Sequence, residues 1–169
     1  DLSSCTEDPP PATTGSVFDI YRPLPATLRR ITLPFLSHLT STDFPHFCKR
    51  FNRVDALKVY NAPKIQSGWT GVAMLTGLTT LKLESSMDAA YAALLHALHA
   101  LPNLRKLVLA NCGAQDAWLD VLVRHSPGLR SLTLQQCDGI TDVGVATLAG
   151  LRHLALVRLV DLERITDAS

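Results

Sequence analysis

The stretch Leu129–Asp142, LRSLTLQQCDGITD, returns at Leu154–Asp167 as LALVRLVDLERITD, 25 residues further on. In both copies positions 1, 4, 6, 9 and 12 are apolar and the segment closes on Thr-Asp. A period between about 20 and 50 residues marks a solenoid, in which each unit buries its apolar face only against its neighbours.

Carried backwards, the same register finds copies at Leu104 (LRKLVLANC), Leu78 (LTTLKLESS), Val54 (VDALKVYNA) and Leu28 (LRRITLPFL), with spacings of 26, 24, 26, 25 and 25 from first to last. Slots 1, 4 and 6 of all six copies are apolar. At the chain's own apolar fraction this would arise by chance with a probability on the order of 10⁻⁶. Alternation of slots 4 and 6 with polar residues predicts a short strand in each unit, with a helix following on the opposite side. The fold expected is therefore α/β: a right-handed solenoid of about six repeats over residues 28–169, parallel sheet on the concave face, helices on the convex face, last repeat incomplete.

Helices are predicted from a Thr42 or Asp43 cap to about Phe51, from Ser67 through Leu75, over Asp88–Leu101, over Asp116–Arg124, and from Thr141-Asp142 to a C-cap near Gly150. Residues 1–27, with Pro9, Pro10, Pro11, Pro23 and Pro25, read as a Pro-rich linker, or as an N-terminal cap in which Val17, Phe18, Ile20, Tyr21 and Leu24 cover the first repeat. The last strand and turn lack a following helix, so the segment is expected to belong to a longer chain or a larger complex.

The pattern LxxLxLxxC followed by ITDxGV at Ile140–Val145 resembles the cysteine-containing class of leucine-rich repeats found in the substrate-binding arrays of F-box proteins. Slot 9 departs from cysteine at Leu36, Ala62 and Ser86, and Gln115 stands where slot 12 should be apolar. A second run, LPFLSHLTSTDFPHFCKRFNRV over Leu33–Val54, looks like the end of an F-box, but it is shortened and interrupted by Pro45, and the first repeat needs the same residues. The resemblance implies a partner-recognition module, possessing no enzymatic activity and no cofactor, in an F-box-like ubiquitin-ligase adaptor. The competing reading is a structural subunit of a large organelle, cytoskeletal or respiratory assembly.

Composition narrows the chemistry. Sixteen Lys and Arg against fifteen Asp and Glu give a net charge of +1, so no overall field favours nucleic acid or a membrane surface, and few exposed aromatics argue against base stacking. No apolar run is long enough for a membrane span. Cys5, Cys48, Cys112 and Cys137 lack metal-binding spacing; Cys112 and Cys137 share a slot in successive repeats and read as buried thiols of a reducing compartment, the cytoplasm being the expected one. His96 and His99 have no carboxylate or thiol at matched spacing, and no nucleophile–base set or phosphate loop is present. Binding is thus assigned to residues between the buried leucines: Arg30, Lys58, Tyr60, Lys82, Glu84, Lys106, Arg130, Gln135 and Arg158. Lys58 and Lys82 are predicted to stand side by side, with Glu84 as the internal counter-charge, on a face suited to an acidic or phosphorylated protein partner.

Overall fold

A computed structural model describes residues 21, 23–34, 39–84 and 91–166. Six strands, β1 (Arg30–Leu33), β2 (Ala56–Tyr60), β3 (Thr80–Glu84), β4 (Lys106–Ala110), β5 (Ser131–Gln135) and β6 (Leu156–Val160), form one sheet in chain order. Every pairing is parallel and in the register of the repeat, so slot 4 aligns as Ile31, Leu57, Leu81, Leu107, Leu132 and Val157. Helices α1 (Asp43–Arg50), α2 (Tyr91–Leu98), α3 (Asp116–His125) and α4 (Asp142–Thr147) and a 3₁₀ helix over Gln66–Met74 alternate with the strands. This is a leucine-rich-repeat solenoid of six units, and its core runs unbroken between the sheet and the helices.

The first repeats fill that core with rings. Phe44, Phe47 and Cys48 on α1 and Phe51 at its C-cap fall at helical spacing and are buried; Phe44 stacks edge-on to Trp69 at 5.1 Å and Phe47 meets Tyr21 at 5.3 Å. Arg50 donates to the Leu24 carbonyl at 2.9 Å, which ties the preceding segment over this end. Of the run that resembles an F-box ending, Leu33 closes β1 and Asp43–Arg50 forms α1, both elements of the first repeat. Val17, Phe18, Ile20, Leu36, Ser86 and the start of the helix expected from Asp88 lie outside the described residues.

Several local expectations are corrected. Neither Thr42 nor Asp43 caps α1 by itself: the Thr40 N–H donates to Asp43 Oδ2 at 3.2 Å while the Asp43 N–H points back to Thr40 Oγ1 at 3.4 Å, a capping box set two residues earlier. The segment expected as a helix from a Ser67 cap is 3₁₀ and already includes Ser67. A Cβ on Gly68 would meet Ser41 O at 2.6 Å and one on Gly71 would meet Pro45 Cα at 2.8 Å, so these glycines allow this helix to lie directly on the backbone around α1. Its 3₁₀ winding, rising about 2.0 Å per residue instead of 1.5, lets nine residues span the shortest repeat. Gly150 lies within a terminal 3₁₀ turn over Leu148–Gly150 without a positive φ and is not a left-handed cap.

Gln115 is no misplaced core residue. One residue fewer after Cys112 moves the apolar position to Ala114, which is fully buried, and makes Gln115 the extended N-cap of α3, equivalent to Thr141 before α4. The ITD motif then becomes legible. Asp116, first residue of α3, accepts from Thr141 N at 2.9 Å and Thr141 Oγ1 at 2.7 Å, and Thr141 Oγ1 in turn accepts from Val143 N at 3.2 Å. One repeat later Asp142 takes Thr166 N at 3.0 Å and Thr166 Oγ1 at 2.7 Å. Each Asp thus clamps the Thr of the next unit, and Gly144 is required because any Cβ there would overlap the Asp116 carboxylate.

Candidate interaction surface

Between the inward leucines, the strands present three columns on the concave face. Register aligns Arg30, Ala56, Thr80, Lys106, Ser131 and Leu156 in one, and Thr32, Lys58, Lys82, Val108, Thr133 and Arg158 in the next. The third contains Tyr60, Glu84, Ala110, Gln135 and Val160. Eight of the nine residues assigned to binding therefore share one face. Arg130 precedes β5 and occupies the slot of Arg29 and Arg105, whose guanidinia donate to the loop carbonyls of Arg53 and Gly128 at 3.2 and 2.9 Å.

Lys58 and Lys82 are directly paired across β2 and β3, about 4.8 Å apart at the backbone. The repulsion is relieved on one side only. Lys82 Nζ lies 3.0 Å from Glu84 Oε2 and 4.8 Å from the centre of the Tyr60 ring, its diagonal neighbour. Partial burial of the ammonium works against the charge, but the bonds to Glu84 and Tyr60 prevail and raise its pKa above the ordinary value of 10.5. In this half-exposed setting the ion pair contributes about 0.2–1 kcal/mol and the ring contact a similar amount. Lys58 and Lys106 are exposed and have no ion-pair partner among the described residues.

Beyond the strands, Asn61, Asn111, Gln136 and Asp161 adopt left-handed backbone, with φ of 46°, 48°, 51° and 51°. This turn bends the chain away from the sheet and aims the N–H forward: Asn61, Asn111 and Gln136 donate to the carbonyls of Glu84, Gln135 and Val160 at 2.8–3.0 Å. Asn is tolerated there, whereas a β-branched residue would be strained. At the C-terminal end the turns frame a cleft of about 480 Å³ lined by Asn111, Gln136, Asp138, Asp161, Leu162 and Glu163. Asp138 and Glu163 are not among the residues assigned to binding from the sequence; their shared slot 10 was the available signal. The concave face is thus basic along its middle columns and acidic at one corner of its rim.

The buried thiols differ in acidity. Burial pushes the Cys48 thiol well above its usual pKa. Cys112 and Cys137 stand 4.0 Å apart between Sγ atoms, and the bond from Cys112 lowers the Cys137 pKa. On the helical side the His99 and His125 rings are 4.3 Å apart, and no group of three or more metal-binding side chains occurs among the described residues. No helix of the described residues is long and apolar enough to cross a membrane.

A family model described as FBD-associated F-box protein At5g56370, LRR repeats, matches residues 51–166, more than half of the chain. No curated protein matches. The matched span begins after α1, takes in β2 to β6, and includes every assigned binding residue except Arg30.

Proposed function

We propose that this chain, which belongs to the family of leucine-rich repeats of FBD-associated F-box proteins, is a non-catalytic recognition module whose concave face takes an acidic or phosphorylated segment of a protein partner. One observation carries this reading. Glu84 is engaged by Lys82, so the paired Lys58 on β2 and Lys106 on β4, with the exposed Arg30 and Arg158 on the first and last strands, leave positive charge uncompensated across the sheet. A carboxylate or phosphate laid across those strands would neutralise it, each charge-assisted bond contributing about 1.5–3 kcal/mol. Following the family, we assign the module to the substrate-recognition part of an F-box-like ubiquitin-ligase adaptor inside the cell, with the cytoplasm as its compartment. A second reading, a structural subunit of a large assembly, rests on the apolar C-terminal edge of the sheet.

The test is an array of acidic, phosphorylated and basic peptides probed with the full chain and with the double variant Lys58→Glu, Lys106→Glu. Acidic and phosphorylated peptides are expected to be retained preferentially, with retention falling at least ~10-fold in the double variant. Both sites are exposed, so the urea midpoint should hardly move. Equal retention by the two proteins would remove the concave-face reading.

A further inference from the structure

Across the first four strands, slot 3 of the concave face reads Arg30, Ala56, Thr80, Lys106, so two small side chains lie between two cations. Two residues further along the middle strands stand Lys58 and Lys82, neighbours in slot 5. The point midway between Ala56 and Thr80 is equally far from all four cations. Arg30 and Lys106 are one and a half strand spacings from it, and Lys58 and Lys82 half a spacing sideways and two residues forward. At about 4.8 Å per strand and 3.3 Å per residue, each of the four Cα atoms falls ~7 Å away. An extended Lys or Arg side chain covers that distance.

The middle of this ring is open. Ala56 offers only a methyl group and Thr80 a short side chain with a hydroxyl, whereas the same column carries Leu156 in the last strand. Arg30, Lys58 and Lys106 are exposed and have no ion-pair partner among the described residues. Glu84, which holds Lys82, lies in slot 7, beyond the lysines from Ala56 and Thr80. Asp55 precedes Ala56 in the slot of Arg29 and Arg105, whose guanidinia bond to entry-loop carbonyls. Four like charges around one gap repel each other unless an anion fills it. A carboxylate brings a single charge and two oxygens. A phosphate monoester brings about −1.5 to −2 and three free oxygens, so it meets several donors at once, and the Arg30 fork can take two of those oxygens.

We propose that the gap over Ala56 and Thr80, ringed by Arg30, Lys58, Lys82 and Lys106, is a site for one phosphorylated side chain of a protein partner. The inference rests on the concave-face reading above and narrows it from any acidic segment to a phosphorylated one. A nucleic-acid strand also carries phosphates, but this ring accommodates one, and the aromatic side chain beside it, Tyr60, already has Lys82 over its ring and is not free to stack on a base.

The test uses the full chain and three labelled peptide libraries, random except for a central phosphoserine, glutamate or serine, read by fluorescence anisotropy at about pH 7.5, where the phosphate is a dianion. Ala56→Leu fills the gap without changing charge, in a column that accepts Leu156, and Arg30→Gln removes one cation from an exposed position. Urea midpoints are measured for both variants. The natural chain is expected to bind the phosphoserine library at least ~10-fold more tightly than the glutamate library, and each variant to reduce that preference to about twofold. Equal affinity for phosphoserine and glutamate, both above serine, would overturn the phosphate site and leave the concave-face reading standing. No preference of either over serine would overturn both. A preference that survives both variants would place the phosphate elsewhere, and tighter binding of a single-stranded oligonucleotide than of the phosphoserine library would assign the ring to a nucleic-acid backbone; either result would overturn the proposal.

Discussion

The first and the last described repeats differ in what covers their cores. At the N-terminal end the core is closed from within: Tyr21 and Leu24 pack on it, Phe44, Phe47 and Phe51 fill it, and Arg50 holds the Leu24 carbonyl. At the C-terminal end the hydrogen-bonding pattern and the apolar face simply continue to the surface, and every residue of β6 is exposed. In a nearest-neighbour array each unit is stabilised by the interfaces on its two sides, so an interior repeat has two and a terminal one has a single interface plus whatever closes it. The comparison teaches that exposure in this fold reports position along the array more than side-chain character. Leu132 and Val157 occupy one slot in adjacent strands, the first fully buried and the second 41% exposed.

Substitutions can break that contrast in descending order of effect. Phe47→Ala removes a buried ring that touches Tyr21, Phe44 and Phe51, and is expected to cost about 3–5 kcal/mol in urea denaturation. Leu132→Ala, in the interior, should cost about 2–5 kcal/mol, whereas Val157→Ala at the edge should cost less than about 1 kcal/mol. Equal losses at 132 and 157 would mean that the sixth repeat is covered in solution. Gly144→Ala forces Asp116 off Thr141 and should cost about 1–3 kcal/mol, an effect that Asp116→Ala largely absorbs in a double-mutant cycle.

The smallest effect is on pH. Bonds from the Thr166 side chain and backbone hold the exposed Asp142 carboxyl below its ordinary value of 3.8. A carboxyl with a depressed folded pKa contributes stability above its unfolded pKa and loses it as pH falls through the folded one. The Thr166 amide resonance should therefore titrate with a midpoint below 3.8, with little change above pH 5. A midpoint at or above 3.8 would show that this last clamp is not formed in solution.

Strands, their parallel order and their register were legible because six repeats place apolar residues in the same slots, and a one-residue slip would have turned every inward side chain outward. The concave columns came with that register, and so did Glu84 as the counter-charge to Lys82. Features that depend on contact between repeats were not legible. The 3₁₀ winding at Gln66–Met74 follows from close approach at Gly68 and Gly71, the Thr40 cap from a side chain outside the expected helix, and the role of Gln115 from a one-residue difference that fixed spacing hides. The contact of Lys82 with Tyr60 runs diagonally between strands, where a column-by-column reading does not look.

The five lysines make the central claim directly measurable, because Lys58, Lys82 and Lys106 lie on the concave strands while Lys49 and Lys64 are exposed on α1 and in the loop after β2. The decisive measurement is lysine crosslinking of the full-length protein in its own cells, followed by mapping of linked residues by mass spectrometry. Recognition by the concave face predicts that links to other proteins concentrate at Lys58, Lys82 and Lys106 and are lost when an acidic or phosphorylated competitor peptide is added. Links confined to Lys49 and Lys64, unaffected by the competitor, would contradict it and place the working surface on the helical side.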